Sequence, residues 1–187
     1  MKITFLIPPS LDGEKPAERS AGCTRVVYPM PNIYELIVAA CLEKDGHEVC
    51  YEDFVLKKNG ENLFESFLKK DDSDCYFIWS VNLSASTDIH AHYLIRINRP
   101  ESYIIFEGPS PTLYQGKFLI DNKTIIVRGE PEITAVELIK SIQNNKDWTN
   151  TEGISYLTVD GIKKNKPRPL TGNLDELPFP ARHLLKD

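Results

Sequence analysis

The chain predicts an α/β fold, a doubly wound parallel sheet of five strands, with a C-terminal hairpin and an extended tail. Three observations predict it. Tyr103-Ile104-Ile105-Phe106 and Thr124-Ile125-Ile126-Val127 are continuous apolar runs, the habit of strands buried on both faces. Each runs into a small polar loop containing glycine, Glu107-Gly108-Pro109-Ser110-Pro111-Thr112 and Arg128-Gly129-Glu130-Pro131-Glu132. Strand-like and helix-like patterns then alternate along the first 145 residues, which is the βαβ signature.

The elements follow in order. Lys2 to Ile7 reads as the first strand, followed by a long polar loop through Ser10 and Asp12-Gly13 to Pro31; loops of that length are functional or mobile. Ile33, Leu36, Ile37, Ala40 and Cys41 recur at helical spacing and Gly46 stops the helix. His47 to Tyr51 is the second strand, and Leu63, Phe64, Phe67 and Leu68 mark one face of a second helix. Cys75-Tyr76-Phe77-Ile78-Trp79 is a central third strand. The hydroxyl-rich Ser80 to Thr87 supplies N-cap candidates for a third helix lined by Ile89, Tyr93 and Ile97 and closed by Pro100. A weakly patterned helix around Leu113 to Ile120 joins the fourth and fifth strands. Pro131 fits the first turn of the last helix, whose buried face is Ala135, Leu138, Ile139 and Ile142.

Short connections and right-handed crossovers make the flavodoxin-like (Rossmann-like) order, second-first-third-fourth-fifth, the natural arrangement, with a switch point between the first and third strands. Residues 1–145 form this unit. In residues 146–187 the texture changes: Ile154 to Val159 alternates, Asp160-Gly161 signals a type I′ turn, and Ile162 to Asn165 returns. The proline-spaced stretch from Pro167 to Arg182 is extended and packs across a surface, as a linker does.

Composition removes several function classes. The chain of 187 residues carries a net charge of -5, which argues against phosphate-backbone binding, and Lys163, Lys164, Lys166 and Arg168 lack interleaved aromatics. No apolar run approaches a bilayer span, and two prolines interrupt the short apolar start where an export signal would continue, so a cytoplasmic protein is expected. Cys41, Cys50 and Cys75 read as small buried hydrophobes, and Cys23 lies in a loop.

The candidate site is the carboxyl edge of the sheet at the switch point. It draws Pro9 and Ser10 from the first loop, Ser80, Asn82, Leu83, Ser84 and Thr87 from the third, Glu107, Gly108, Pro109 and Ser110 from the fourth, and Arg128, Gly129 and Glu130 from the fifth. These offer backbone N–H groups, hydroxyls and small residues, and no nucleophile–base pair, GxGxxG or P-loop. Such an edge holds a ligand and does no chemistry alone. Glu130 and Glu132 flank Pro131 where a helix start welcomes negative charge, and Arg128 could meet either carboxylate or an anionic ligand. His90 and His92 are separated by one residue and cannot share a helix face, so no metal pair is expected there; they read as exposed or semi-buried helix positions.

With those residues in hand, the chain resembles the N-terminal domain of cobalamin-binding radical SAM enzymes. The resemblance rests on Ile7-Pro8-Pro9 ending the first strand and on the turn Glu107-Gly108-Pro109 with Thr112. It rests further on Val127-Arg128-Gly129-Glu130-Pro131-Glu132 with Thr134 and Glu137-Leu138, and on Gly153-Ile154-Ser155-Tyr156 through Leu174-Asp175-Glu176-Leu177-Pro178-Phe179-Pro180-Ala181-Arg182. It covers nearly the whole chain in order. It implies cobalamin over the carboxyl edge, with its nucleotide tail slipped between strands and its base displaced (base-off). No histidine would ligate cobalt, because the first loop has none. Asp88-x-His90 imitates the start of the cobalamin signature Asp-x-His-x-x-Gly, but Tyr93 replaces the glycine and the signature belongs after the first strand.

The CxxxCxxC motif of the catalytic barrel is absent, so the resemblance implies an excised domain. Its partner would be a C-terminal radical SAM domain of the same polypeptide, of methyltransferase type and carrying the 4Fe-4S cluster and S-adenosylmethionine. Glu107 stands where the family has the first glycine of a Gly-Gly-Pro turn, adding bulk and negative charge beside a phosphate-bearing tail. That departure motivates the alternative, a degenerate Rossmann-like module without cofactor that recruits substrate or docks domains. A free-standing flavin or nucleotide binder is the third reading.

Overall fold

The computed structural model describes residues 1–10, 31–55 and 57–185. The predicted loop around Asp12-Gly13, and Cys23, lie outside them. Seven strands form one sheet in the order β2-β1-β3-β4-β5-β6-β7. They are β1 Lys2–Ile7, β2 Glu48–Asp53, β3 Cys75–Trp79, β4 Tyr103–Glu107, β5 Thr124–Val127, β6 Ile154–Thr158 and β7 Gly161–Lys164. The first five pair in parallel in the expected order, so β1 and β3 leave the centre in opposite directions along the sheet and create the switch point.

The expected five-strand count is corrected to seven. β6 pairs antiparallel with β5 and β7 with β6, so the hairpin extends the sheet. An unpaired β5 would expose a row of backbone donors and acceptors, and β6 satisfies that edge while burying Ile154 and Tyr156 in the core. The turn also differs. Thr158 pairs with Gly161, which places Val159-Asp160 at the centre, and neither has positive φ; only Gly161 does, at +114°. A type I′ turn needs positive φ at both central residues, so this one is not of that type.

Helices cover both faces. α1 (Ile33–Lys44) and α6 (Pro131–Gln143) pack with Phe5, Phe77, Ile105 and Val127 on one side. On the other, α2 (Gly60–Lys70) and α3 (Ala85–Asn98) pack with Leu6, Tyr76, Ile78 and Phe106. Successive residues of the central strands alternate between the two cores, so β3, β4 and β5 are apolar along almost their whole length. The weakly patterned helix is in fact two short ones, α4 (Pro109–Leu113) and α5 (Gln115–Phe118), with Phe118 as the buried anchor. None of the described helices is long and apolar enough to cross a membrane.

α3 turns a different face inward from the one its apolar spacing predicts. Tyr93 and Ile97 are 51% and 76% exposed, while Asp88, Ala91, His92 and Ile95 are buried. Polar groups go inside at little cost when partnered. Asp88 accepts from the Ser84 hydroxyl at 2.7 Å, and His92 Nε2 meets Thr124 Oγ1 at 2.8 Å and the Asp121 carboxylate at 3.1 Å. His92 is therefore fully buried, whereas His90 is exposed. Cys41 and Cys75 are buried as expected, and Cys50 only partly so.

Asp121 is the hub of that network. It also accepts from Arg96 Nε at 2.8 Å, Thr124 Oγ1 at 2.9 Å and the Lys123 N–H at 2.9 Å. Burial pushes its ionisation up, but the bonds from His92, Arg96, Thr124 and Lys123 outweigh it and hold the carboxyl well below its usual range. Asp121→Ala strands buried His92 and part-buried Arg96, and is expected to cost about 3 kcal/mol in urea unfolding at neutral pH. The deficit should shrink as pH falls and the native carboxylate is protonated, because a depressed pKa stabilises only above it. A cost under about 1 kcal/mol would remove Asp121 as the hub.

Candidate functional site

The carboxyl ends of β1, β3, β4 and β5 meet at one rim, and their loops carry the predicted residues. The Ser80 N–H donates to the Glu107 carbonyl at 2.8 Å and the Ser110 N–H to the Ser80 carbonyl at 3.2 Å, locking the third and fourth loops together. Ser80, Ser84, Glu107 and Ser110 are buried there; Asn82, Leu83, Pro109 and Gly129 are exposed, and Thr87, Gly108, Arg128 and Glu130 half-buried. The Ser84 hydroxyl is committed within the fold, bridging Val81 and Asp88. Pro9 is buried and Ser10 half-buried. Together they border a hollow of about 390 Å³ with Phe54, Asn59 and Gly60, and Pro9 and Thr87 border a second of about 230 Å³ with Phe64, His90 and Leu94.

Two predicted residues are engaged within the fold. Arg128 donates through its guanidinium to the backbone carbonyls of Ile154, at 3.0 Å, and Asn165, at 2.6 Å. It meets no carboxylate among the described residues and ties the hairpin to the fifth loop. Glu130 accepts from the Thr171 N–H at 2.6 Å, fastening the proline-spaced tail to the same loop.

The rim concentrates buried polar atoms that lack a hydrogen-bond partner among the described residues. They include Ser80 Oγ, Ser110 Oγ, Gln115 Oε1, Arg128 Nε and both carboxyl oxygens of Glu107. A folded protein leaves few such groups, and a cluster asks for an explanation. Gly129 adds room: its φ is +78° and a side chain there would meet nothing within 4 Å.

The face under α1 and α6 is crowded instead. Glu107 is 1% exposed and pairs in register with Trp79, so the two side chains share that face. The Trp79 indole lies against Gly108, with ring carbons 3.1 and 3.2 Å from where a Cβ would stand, and Tyr34 stacks on it at 5.8 Å between centroids. Buried Glu35, on α1, accepts from the Trp79 N–H at 3.1 Å. Burial, then the nearby Glu35 and Glu132, push the Glu107 ionisation well above the carboxylate range. Its expected negative charge is thus suppressed and its bulk remains. Glu132 is raised as well, by burial and by Glu130.

Sequence reasoning missed Glu35, Trp79 and Tyr34. Glu35 had a signal, being an acid inside the apolar run Ile33 to Leu42. Trp79 had none, since it completes an apolar strand. Among the described residues no group of three or more His, Cys, Asp or Glu side chains is placed to hold a metal.

No protein-family profile matches the chain. The chain is 28% identical, over 99% of its length, to the uncharacterized methyltransferase PH0819 of Pyrococcus horikoshii, of which it spans 39%. Its fold is shared by the radical S-adenosylmethionine methyltransferase TsrM from Kitasatospora setae, solved with cobalamin and a [4Fe-4S] cluster bound. There the TM-score is 0.70 at 15% identity, covering 95% of this chain and 31% of TsrM. It is shared also by the cobalamin-dependent S-adenosylmethionine radical enzyme OxsB, solved with aqua-cobalamin and S-adenosylmethionine. In that case the TM-score is 0.73 at 18% identity, covering 96% of this chain and 24% of OxsB.

Proposed function

We propose that this chain is the corrinoid-facing α/β unit of a radical SAM methyltransferase, with the corrin ring resting on the carboxyl rim of the sheet. One observation carries the reading: the buried hydroxyls of Ser80 and Ser110 lie without a hydrogen-bond partner at the carboxyl rim of a fold shared with cobalamin-bearing proteins. The likeness to a methyltransferase over 99% of the chain supports the reaction class.

The rim's chemistry suits a corrin. A corrin ring carries peripheral amide arms, each with donors and acceptors. Ser80 and Ser110 hydroxyls and the Gln115 amide oxygen are the complementary groups, and Gly129 in the fifth loop adds open space. When bound, the corrinoid supplies methyl-carrying cobalt. The residues of this chain bind and orient it, and none stands as a cobalt ligand in this reading. A radical SAM domain of the same polypeptide, bearing the cluster and S-adenosylmethionine, is the proposed partner. The chain's 39% share of its methyltransferase relative and its exposed tail, with Leu170 and Phe179 77% and 93% exposed, support that arrangement.

The test is retention of a corrinoid. The purified chain, mixed with aquocobinamide or hydroxocobalamin and passed over gel filtration, should carry corrin absorbance in the protein peak for at least one. Ser80→Leu, placing bulk at the rim, is expected to lower that affinity at least tenfold with an unchanged circular dichroism spectrum. Failure to retain either corrinoid would sink the proposal.

A further inference from the structure

The resemblance has a nucleotide tail slip between strands at the carboxyl edge, and beside β3 and β4 the α1/α6 side of that edge is filled by described side chains. A base and its phosphate would need to pass the carboxyl ends of β3 and β4. Gly108, where a ligand's close approach is expected, is backed instead by the Trp79 indole at 3.1 Å and the Ser80 carbonyl at 2.7 Å from the Cβ position. Tyr34 stacks on the outer side of that indole, and Glu35 holds the strand end from below through the Trp79 N–H. Behind the pair lies Glu107, 1% exposed, and the core formed by Ile105, Val127, Ala135 and Leu138 continues without interruption.

We infer that the slot beside β3 and β4 is closed by Trp79 and Glu107, so that this chain selects corrinoids lacking the nucleotide tail, held over the rim by the ring alone. The inference rests on the corrinoid reading above and narrows its ligand class to cobinamide-type molecules. Bulk does the excluding. Burial suppresses the Glu107 charge, so electrostatic repulsion of a phosphate is secondary, whereas close-packed side chains leave no volume for a bicyclic base. The carboxyl oxygens of Glu107 find no hydrogen-bond partner among the described residues, a local cost of burying the side chain at the end of β4.

Equilibrium titration of the chain with aquocobinamide and with hydroxocobalamin, followed by corrin absorbance, tests this. Cobinamide is expected to bind at least tenfold more tightly than cobalamin. Removing the obstruction in W79A/E107G should bring the two affinities together by a gain for cobalamin. Glu107→Gln, which keeps the bulk and lacks the acid, should leave the ratio as in the parent. Cobalamin binding as tightly as cobinamide to the unsubstituted chain, with the absorbance of a displaced base, would overturn the closed slot while leaving the corrinoid reading intact. No binding of either would overturn the corrinoid reading, and this inference with it.

Discussion

Relative to the parent chain, Glu107→Gln is expected to gain stability as pH rises from 5 toward neutrality, with a slope of up to about 1.4 kcal/mol per pH unit while the parent's folded carboxyl stays protonated. The parent buries a carboxyl at the end of β4 whose ionisation lies well above the carboxylate range, because of burial first and of Glu35 and Glu132 second. In the unfolded chain the same group ionises near pH 4.3. Between those two pKa values the folded state holds one proton more than the unfolded state. Stability therefore falls as pH rises, with a slope of about 1.4 kcal/mol per pH unit for one proton. Glutamine has the same shape and no proton to hold, so its slope lacks this contribution. His47, whose ionisation burial and the N-terminal charge push down, works in the opposite direction, costing stability below about pH 6.5, but identically in both proteins. Urea unfolding of the pair at several pH values isolates the difference. Parallel stability curves would mean Glu107 is solvated or paired in solution.

The same experiment separates two ways Glu107 can exclude a ligand. As an anion it would repel phosphate, and the effect would weaken with salt. As a neutral acid it excludes by volume, and salt is irrelevant. A rising advantage for glutamine through pH 5–7 is the thermodynamic mark of the neutral form, and it makes the closed slot a matter of packing.

How much of this was legible in the sequence depends on range. The central parallel strands were readable because β3, β4 and β5 are short apolar runs buried on both faces, and the strand order followed from short connections. Ser80, Ser84 and Ser110 were readable as rim residues since they lie within the first few residues after strands β3 and β4. What failed was decided by distant partners. Whether His92 or Tyr93 turns inward on α3 depends on Thr124 and Asp121, more than 25 residues away, which receive the imidazole. Nothing local says that β6 will close the open edge of β5. Arg128 looked free for a ligand because its acceptors, the carbonyls of Ile154 and Asn165, arrive only when the hairpin joins the sheet. Trp79 is the instructive case: in sequence it is the fifth residue of an apolar strand, and in space it fills the site the glycine next to it was expected to leave open.

Gly108→Ala should then be among the most damaging single-methyl additions in the chain, costing about 3 kcal/mol or more in unfolding free energy. Two independent costs coincide there. The backbone lies at φ +99° and ψ -178°, a region essentially reserved for glycine. The added methyl would also meet the Ser80 carbonyl oxygen at 2.7 Å and the Trp79 ring at 3.1 Å. Neither can yield cheaply. The carbonyl accepts the Ser110 N–H that joins the third and fourth loops, and the indole is pinned by Tyr34 above and Glu35 at its own backbone. Gly129 provides the internal control, because it also has positive φ, +78°, yet a methyl there meets nothing within 4 Å. Gly129→Ala should cost only the conformational part, about 1–2 kcal/mol. If the two variants unfold at the same urea concentration, Trp79 is not seated against Gly108 and the slot is open. If Gly108→Ala is worse and Trp79→Ala relieves part of its penalty in the double variant, the glycine at the end of β4 serves the protein's own indole, and a ligand's tail has no claim on that space.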